Sequence, residues 1–400
     1  MNMKKIGFLV AMLVLSGCAN QSAESPRDVS SAAEPALVSS SETSVEPEDP
    51  HDEEKRISFV GVGDNLIHNV IFVEAQLEDG SFDFKPMFEY VADPIETADL
   101  AFINQETLIG GDEFGFSGYP DFNTPSDMAD NLKDLGFDLV NGASNHSLDK
   151  GKQGVLNTLE IWDQQEDMVF TGVFGSREQR DAIPVIERGG LTFSFLAYTY
   201  GTNGIEPDVS YRLNYFDKDL ITQDIKKAKE VSDFVIVSAH WGDEHMLEPN
   251  AFQKEYAQLF ADLEVDAVIG THPHVIQPVE WVEGKNGNQT LVVYSLGNFL
   301  SAMSTGTENN ILGGMVSFDF VATGEEKSIE NVNWNPTVMH YTGDQNDYAD
   351  SRKNFRIYPL DDYTEELANQ HVLNGYQGNQ VSKASLQQTT KKVIDSEFLK

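Results

Sequence analysis

Two histidines, His272 and His274, straddle Pro273 directly behind the short apolar run at 267–269, and the same arrangement recurs along the chain with other metal-binding residue types. Asp64 follows ISFVGV at 57–62, Glu106 follows LAFI at 100–103, Asn145 and His146 follow Leu139 and Val140, and His240 follows FVIVS at 234–238. Carboxylates, an amide oxygen and neutral imidazoles together form a mixed oxygen and nitrogen donor set for divalent ions. Two such ions about 3.5–4 Å apart polarise a phosphoryl oxygen and generate hydroxide from water near neutral pH. Asp64, Glu106, Asn145, His240, His272 and His274 supply the ligand types for such a centre. His146, beside a ligand rather than part of the set, suits protonation of a leaving group.

Taken singly, most of these residues have a plainer reading. An aspartate after a strand is commonly a turn or cap residue, and Glu106 alone reads as a surface carboxylate. Asn145-His146 fits turn chemistry, because asparagine tolerates left-handed backbone. His240, before Trp241-Gly242, fits a satisfied, half-buried histidine. The His272-Pro273-His274 pair is harder to assign to packing. With His68 included, five of the nine histidines fall in these blocks. Building a core does not require polar residues at so many strand ends, whereas ligands in open α/β sheets collect there.

The elements that must position these residues alternate in type. Strand-like runs occur at 57–62, 100–103, 139–140, 234–238, 267–269 and 291–294, with further strands at 191–198 and 315–320. Helix-like stretches lie between them at 86–98, 126–135, 152–164, 220–231 and 250–263. Asp127 and Asp130 suit the start of the second of these. Strands alternating with helices predict an α/β fold with helices layered over sheet. After residue 321 the pattern weakens, and the chain past 362 is polar and Gln-rich. The expected organisation is therefore a leader at 1–18, a tether at 19–54, the folded domain at 55–320 and a C-terminal extension at 321–400.

The N-terminus carries its own signal. Lys4 and Lys5 precede an apolar stretch of about ten residues, too short to span a bilayer and suited to a signal-peptide core. It ends in Leu15-Ser16-Gly17-Cys18, which resembles a bacterial lipoprotein cleavage box, with Cys18 the single cysteine of the chain. Acylation at Cys18 predicts attachment at the outer face of a cell membrane through lipid. The Ser-, Glu- and Pro-rich stretch from 19 to 54 has almost no large apolar side chain and reads as a disordered tether. With 65 acidic against 27 basic residues the net charge is −38, which excludes nucleic acid as the main partner. An anionic substrate would need local cationic help, which metal ions supply.

The blocks GVGDNLIH (61–68), FINQETLI (102–109), NGASNHSLDKG (141–151), SAHWGDE (238–244), GTHPHVIQPVE (270–280) and YSLGNF (294–299) resemble the CapA family of poly-γ-glutamate capsule-synthesis proteins. Their order and spacing match over residues 57–301. That family is similar to calcineurin-like metallophosphoesterases, which implies a layered β-sandwich flanked by helices with a two-metal site at the loop ends. The resemblance implies Asp64 and His274 on the first ion, Glu106 as the bridge, and Asn145, His240 and His272 on the second. It implies Mn, Zn or Fe as the ions and His146 against the substrate's anionic group. The related enzymes carry a histidine two residues after their aspartate; His68, four residues after Asp64, is expected either to fill that role from the next turn or to point elsewhere. Asp149 is expected to orient His146 or to cap the following helix. Asn298 and Trp241 are candidate substrate contacts, Trp241 with packing as its alternative, and Glu244 is a candidate pocket residue. The implied role is synthesis, export or anchoring of a capsule-like envelope polymer, either as a hydrolase or as a non-catalytic subunit of a membrane synthesis complex.

Overall fold

The computed structural model describes residues 53–304 and 306–399, so Cys18 and the tether as far as residue 52 lie outside the described residues. Strands β1 (Lys55–Leu66), β2 (Leu100–Asn104), β3 (Leu139–Asn141) and β4 (Val169–Thr171) begin a first sheet. Strands β5 (Val185–Arg188), β6 (Leu191–Thr199), β7 (Phe234–His240), β8 (Ala267–Thr271), β9 (Val279–Glu283) and β10 (Gln289–Val293) form a second. The chain then returns to the first sheet with β11 (Asn298–Ser301), β12 (Leu312–Thr323), β13 (Glu326–Thr342) and β14 (Lys353–Pro359). The first sheet runs β14-β13-β12-β1-β2-β3-β4 with β11 also paired to β1, and the second runs β5-β6-β7-β8-β10-β9.

This is the α/β architecture that the alternating pattern predicts, and the strand sequences show why it has two faces to bury. On the second sheet, Phe193, Phe195, Ile236, Ile269 and Val293 pack into the core shared with the first sheet. Their neighbours Leu196, Tyr198, Val235, Val237, Val268 and Val292 pack the opposite way, against Ile221, Ile225, Ala257 and Phe260 of the helices Lys218–Val231 and Ala251–Asp262. A strand buried on both faces reads as a continuous apolar run. Aromatic contacts join the sheets: Phe102 meets Phe195 edge-on at 5.8 Å and Phe193 meets Phe320 at 5.0 Å. On the outer side of the first sheet, Met128, Ala129 and Leu132 of the helix Asp127–Asp134 join the same core.

β1, β2, β3 and β4 are mutually parallel, as are β6, β7, β8 and β10. Parallel register therefore lines up the ends of successive strands in rows. Asp64 pairs with Asn298 on one side and Asn104 on the other, and Asn104 pairs with Asn141. On the second sheet, His240 pairs with Thr199 and Thr271. The polar ends of separate runs become neighbours because pairing is in step.

Two expectations differ. The helix expected over 86–98 is instead a short 3-10 turn, Lys85–Met87, and a one-turn helix, Ala92–Glu96. Pro94 lies in the first turn of that second helix, has no N–H to give and would clash with the carbonyl of residue 90, so the helix cannot extend back through residue 90. The chain after residue 321, expected as an extension, supplies β13 and β14, which complete one side of the first sheet. Its signal is weak because only Val332, Trp334 and the stretch at 337–341 are buried in β13, while residues such as Glu330 and Asn335 face solvent. Trp334 lies flat on β12 where Gly314 stands; a Cβ there would sit 1.8 Å from its ring. A chain ended at residue 320 is expected to lose cooperative thermal unfolding and to aggregate, since it removes β13 and bares the edge of β12.

The helix Arg177–Asp181 is tied to the helix Lys218–Val231 by a buried pair: Arg180 donates to both oxygens of Asp224 at 3.0 and 2.6 Å, and the Tyr198 hydroxyl donates to the same carboxylate at 3.0 Å. Removing one partner strands a buried charge. Asp224→Ala is expected to cost about 3–5 kcal/mol in chemical denaturation, with much of the loss recovered by adding Arg180→Met.

Candidate metal centre

The carboxyl ends of β1, β2 and β3 meet those of β7 and β8 across the gap between the sheets. His272 N donates to Asp64 Oδ1 at 3.3 Å and His274 Nδ1 lies 3.0 Å from Asp64 Oδ2, so the turn after β8 is bonded to the end of β1. Close approach of backbone at this point needs Gly63, where a Cβ would stand 1.9 Å from the Gly297 carbonyl oxygen. The adjacent Asp64 N–H donates to that same oxygen at 2.9 Å.

Two sets of ligand atoms converge here, each with all its members within 4.8 Å of one another: Asp64, Glu106 and His274, and Glu106, His240 and His272. Glu106 belongs to both. Its Oε1 lies 3.5 Å from His274 Nε2 and 4.0 Å from His240 Nε2. Asn145 joins the second set through Oδ1, 2.9 Å from His240 Nε2, while His240 Nδ1 lies 2.9 Å from the Thr271 hydroxyl. The donors are neutral or anionic atoms and all of these side chains are buried. Glu106 Oε1 and His272 Nδ1 are buried with no hydrogen-bond partner. Leaving such a buried polar atom unpaired costs about 1–3 kcal/mol. A divalent cation between them answers that cost, and the residues fit one.

The electrostatics agree. Burial pushes Glu106 well above the usual carboxylate range, with Asp64 adding to the rise and His274 opposing it. Burial likewise holds His240 and His272 well below the usual imidazole value, the neutral state that binds metal. For His274 burial also works against the charged form, but Glu106 and Asp64 beside it win and raise it to about 9. Raised as they are, Glu106 and His274 favour holding protons when no cation is there, and a cation would compete with those protons.

The backbone is strained where the histidines sit. His272 has φ 97° and His274 φ 57°, the left-handed region that a side chain with a Cβ seldom adopts. Such residues persist only where the surroundings enforce them, and they gather at functional sites.

The other expected residues divide. His146 is in place: its Nδ1 lies 2.8 Å from Asp149 Oδ2, and Asp149 also accepts from Phe122 N at 2.8 Å. Asp149 therefore holds the imidazole by Nδ1 and leaves Nε2 for other partners. His68 is not brought into either set. It precedes the helix Asn69–Ala75, with Nδ1 held between Leu66 O at 3.0 Å and Ala302 N at 3.2 Å, and burial lowers it to about 3. Trp241 is fully buried between sheet and helix, its indole N–H donating to Tyr294 O at 2.9 Å, so packing is its role and substrate contact is not. Asn298 is also buried, and its Nδ2 donates to Asn310 O at 2.9 Å and to His274 O at 3.3 Å. It shapes the turn that carries His274 rather than meeting substrate.

Two further contributors come to light in the fold. Asn104 donates to Asp64 Oδ1 at 2.8 Å and accepts from Asn141 Nδ2 at 2.7 Å, which fixes the first carboxylate from beneath. Both asparagines end apolar runs, the signal that singled out the ligands themselves. Tyr200, just after β6, lays its ring 4.5 Å from that of His272; nothing in its local sequence distinguishes it. Replacing Asn104 with leucine is expected to weaken divalent-ion binding roughly 10–100-fold, as loss of an outer partner does. Calorimetric titration with Mn²⁺ measures it, and unchanged affinity would count against a positioning role.

Comparison with known proteins agrees with these blocks. A "PGA biosynthesis protein CapA" of Bacillus subtilis is 33% identical over 180 residues, covering 42% of this chain and 44% of that protein. A "Capsule biosynthesis protein CapA" of Bacillus anthracis is 29% identical over 182 residues, covering 42% and 41%. The matched part thus spans less than half the length of these curated relatives. A solved phosphatase structure from Mycoplasma pneumoniae superposes with a TM-score of 0.42 at 14% identity, over 72% of this chain and 95% of that one. Residues 58–303, most of the folded region and every ligand-type residue of the centre, match the family described as bacterial capsule synthesis protein PGA_cap, and the chain belongs to that family.

Proposed function

We propose that this protein is a metal-dependent hydrolase of a phosphoester, or of a related bond in an envelope polymer, working in the production, export or anchoring of a capsule-like poly-γ-glutamate. The observation that carries the reading is the pair of ligand sets sharing Glu106, with Glu106 Oε1 and His272 Nδ1 left unpaired and the His146–Asp149 pair close by. Asp64, Glu106 and His274 would hold one ion of the Mn, Zn or Fe type, and Glu106, His240, His272 and Asn145 the second. Such ions, when bound, polarise the scissile group and lower the pKa of water.

The chain's own residues do the rest. The His146 Nδ1–H donates to Asp149 at 2.8 Å, so Nε2 is the free ring nitrogen, and once that nitrogen has taken up a proton the imidazolium would give it to the leaving oxygen. His146 directly follows Asn145, whose Oδ1 lies 2.9 Å from His240 Nε2, which supports an acid role for it at this site. Phe122 packs edge-on to the imidazole at 4.7 Å and limits its rotation. Acylation of Cys18 would hold the domain at the outer membrane face, where membrane subunits of a synthesis complex are its expected partners.

The full chain, stripped and reloaded with Mn²⁺, should hydrolyse a member of a phosphoester panel. Asp64→Ala and His240→Ala should lose both metal and turnover. His146→Ala should keep metal and lose roughly 10²–10⁴-fold in kcat, the usual worth of a positioned acid. Parent and variants alike in metal content and in every assay would defeat the reading. Metal bound without turnover, together with polymer still made by cells carrying His146→Ala, would assign the centre to a non-catalytic subunit.

A further inference from the structure

The solvent side of the centre carries a carboxylate that the assignment above leaves unused. Glu244 lies in the loop after β7, and one of its oxygens, one ring nitrogen of His272 and one of His274 all lie within 4.8 Å of one another. These two histidines belong to different ligand sets, His272 with Glu106 and His240, His274 with Asp64 and Glu106. Glu106 joins the two sets from the buried side; Glu244, with 47% of its side chain exposed, joins the same two histidines from the open side.

The loop is held where Glu244 reaches them. The next residue, His245, donates its N–H to the Pro273 carbonyl at 2.8 Å, inside the His272-Pro273-His274 turn itself. Its Nδ1 lies 2.9 Å from Asn310 Nδ2, and that buried amide also donates to His274 O at 3.1 Å. His245 adopts φ 66°, so this stretch, like the turn it grips, is held in left-handed backbone. The contact between Glu244 and the His245 ring, at 3.8 Å, is too long for a hydrogen bond. His272, only 2% exposed, has its Nδ1 without a partner. A carboxylate on a backbone pinned beside two buried imidazoles, one with an orphaned nitrogen, has the chemistry of a further ligand for cations held there.

We propose that Glu244 is a further ligand of this centre, closing its solvent side with a carboxylate oxygen beside the ions that His272 and His274 would hold. The proposal rests on the metal-centre reading above. It gives the centre an oxygen donor from the β7 loop, while the nitrogen donor expected from His68 is not part of it. Three carboxylates around the ions would move the set toward harder cations such as Mn²⁺.

The test is Mn²⁺ binding by the metal-stripped full chain, followed by calorimetry and by EPR of the bound ion. Glu244→Gln keeps the shape and removes the charge, and Asp243→Asn removes the same charge one residue away, where its carboxylate accepts from Asn250 at 2.8 Å. Glu244→Gln should bind Mn²⁺ at least roughly 10–100-fold more weakly, since even outer partners carry that much, and should change the EPR line shape of the bound ion. Asp243→Asn should stay within about twofold at 0.15 M salt, where exposed charges are screened. Parent-like affinity and line shape for Glu244→Gln would overturn the proposal and leave the centre standing. Equal weakening by both variants would overturn it too, as a field effect. A parent chain that takes up no Mn²⁺ removes the centre itself, a different failure read in the same titration.

Discussion

Two carboxylates buried side by side are the constraint on which the rest depends. Asp64 and Glu106 are essentially inaccessible to water and face one another across a space lined by imidazoles. Placing like charges in a low-dielectric interior is unfavourable unless cations or protons accompany them. The surrounding atoms are arranged to meet that cost. Asn104 steadies one carboxylate from below, His274 lies between the two, and His240 and His272 are held neutral by burial. Among the ligand-type atoms, Glu106 Oε1 and His272 Nδ1 are left unmatched, and a cation would satisfy both.

The fold serves that gathering. Parallel pairing brings the ends of β1, β2 and β3 into one row and those of β7 and β8 into another, and the aromatic contacts between the sheets bring the two rows together. The left-handed backbone at His272 and His274 is the local consequence. A relaxed turn after β8 would carry the imidazoles elsewhere, so the strain is held by the hydrogen bonds to Asp64 and by the pinning of the neighbouring loop.

Family membership and geometry speak to different things. Membership in the PGA_cap family links the chain to capsule synthesis by kinship, and the matched relatives extend well beyond the aligned region. The centre speaks to chemistry. It offers oxygen and nitrogen donors, while among the described residues Lys150 turns its ammonium to the Asp121 carbonyl and Lys152 faces Asp208. A site built this way could meet an anion only through cations that it held, which suits a chain whose net charge is −38.

The sequence by itself determined the α/β class, the strand-end blocks and the candidates Asp64, Glu106, Asn145, His146, His240, His272 and His274, because each is written locally: an apolar run, then a polar residue with metal-binding chemistry. Cys18 is equally local, although it lies outside the described residues. Only the tertiary structure decided what depends on residues far apart in the chain. It joined β13 and β14 to the first sheet, where half-exposed strands carry little apolar signal. It buried Trp241 and Asn298 and tied His68 to backbone, since burial and partner choice are set by neighbours from other strands. It also brought Asn104, Tyr200 and Glu244 to the centre. A side chain's surroundings are fixed by strand register and by the packing of one sheet on the other, and neither is contained in the short stretch of sequence around it.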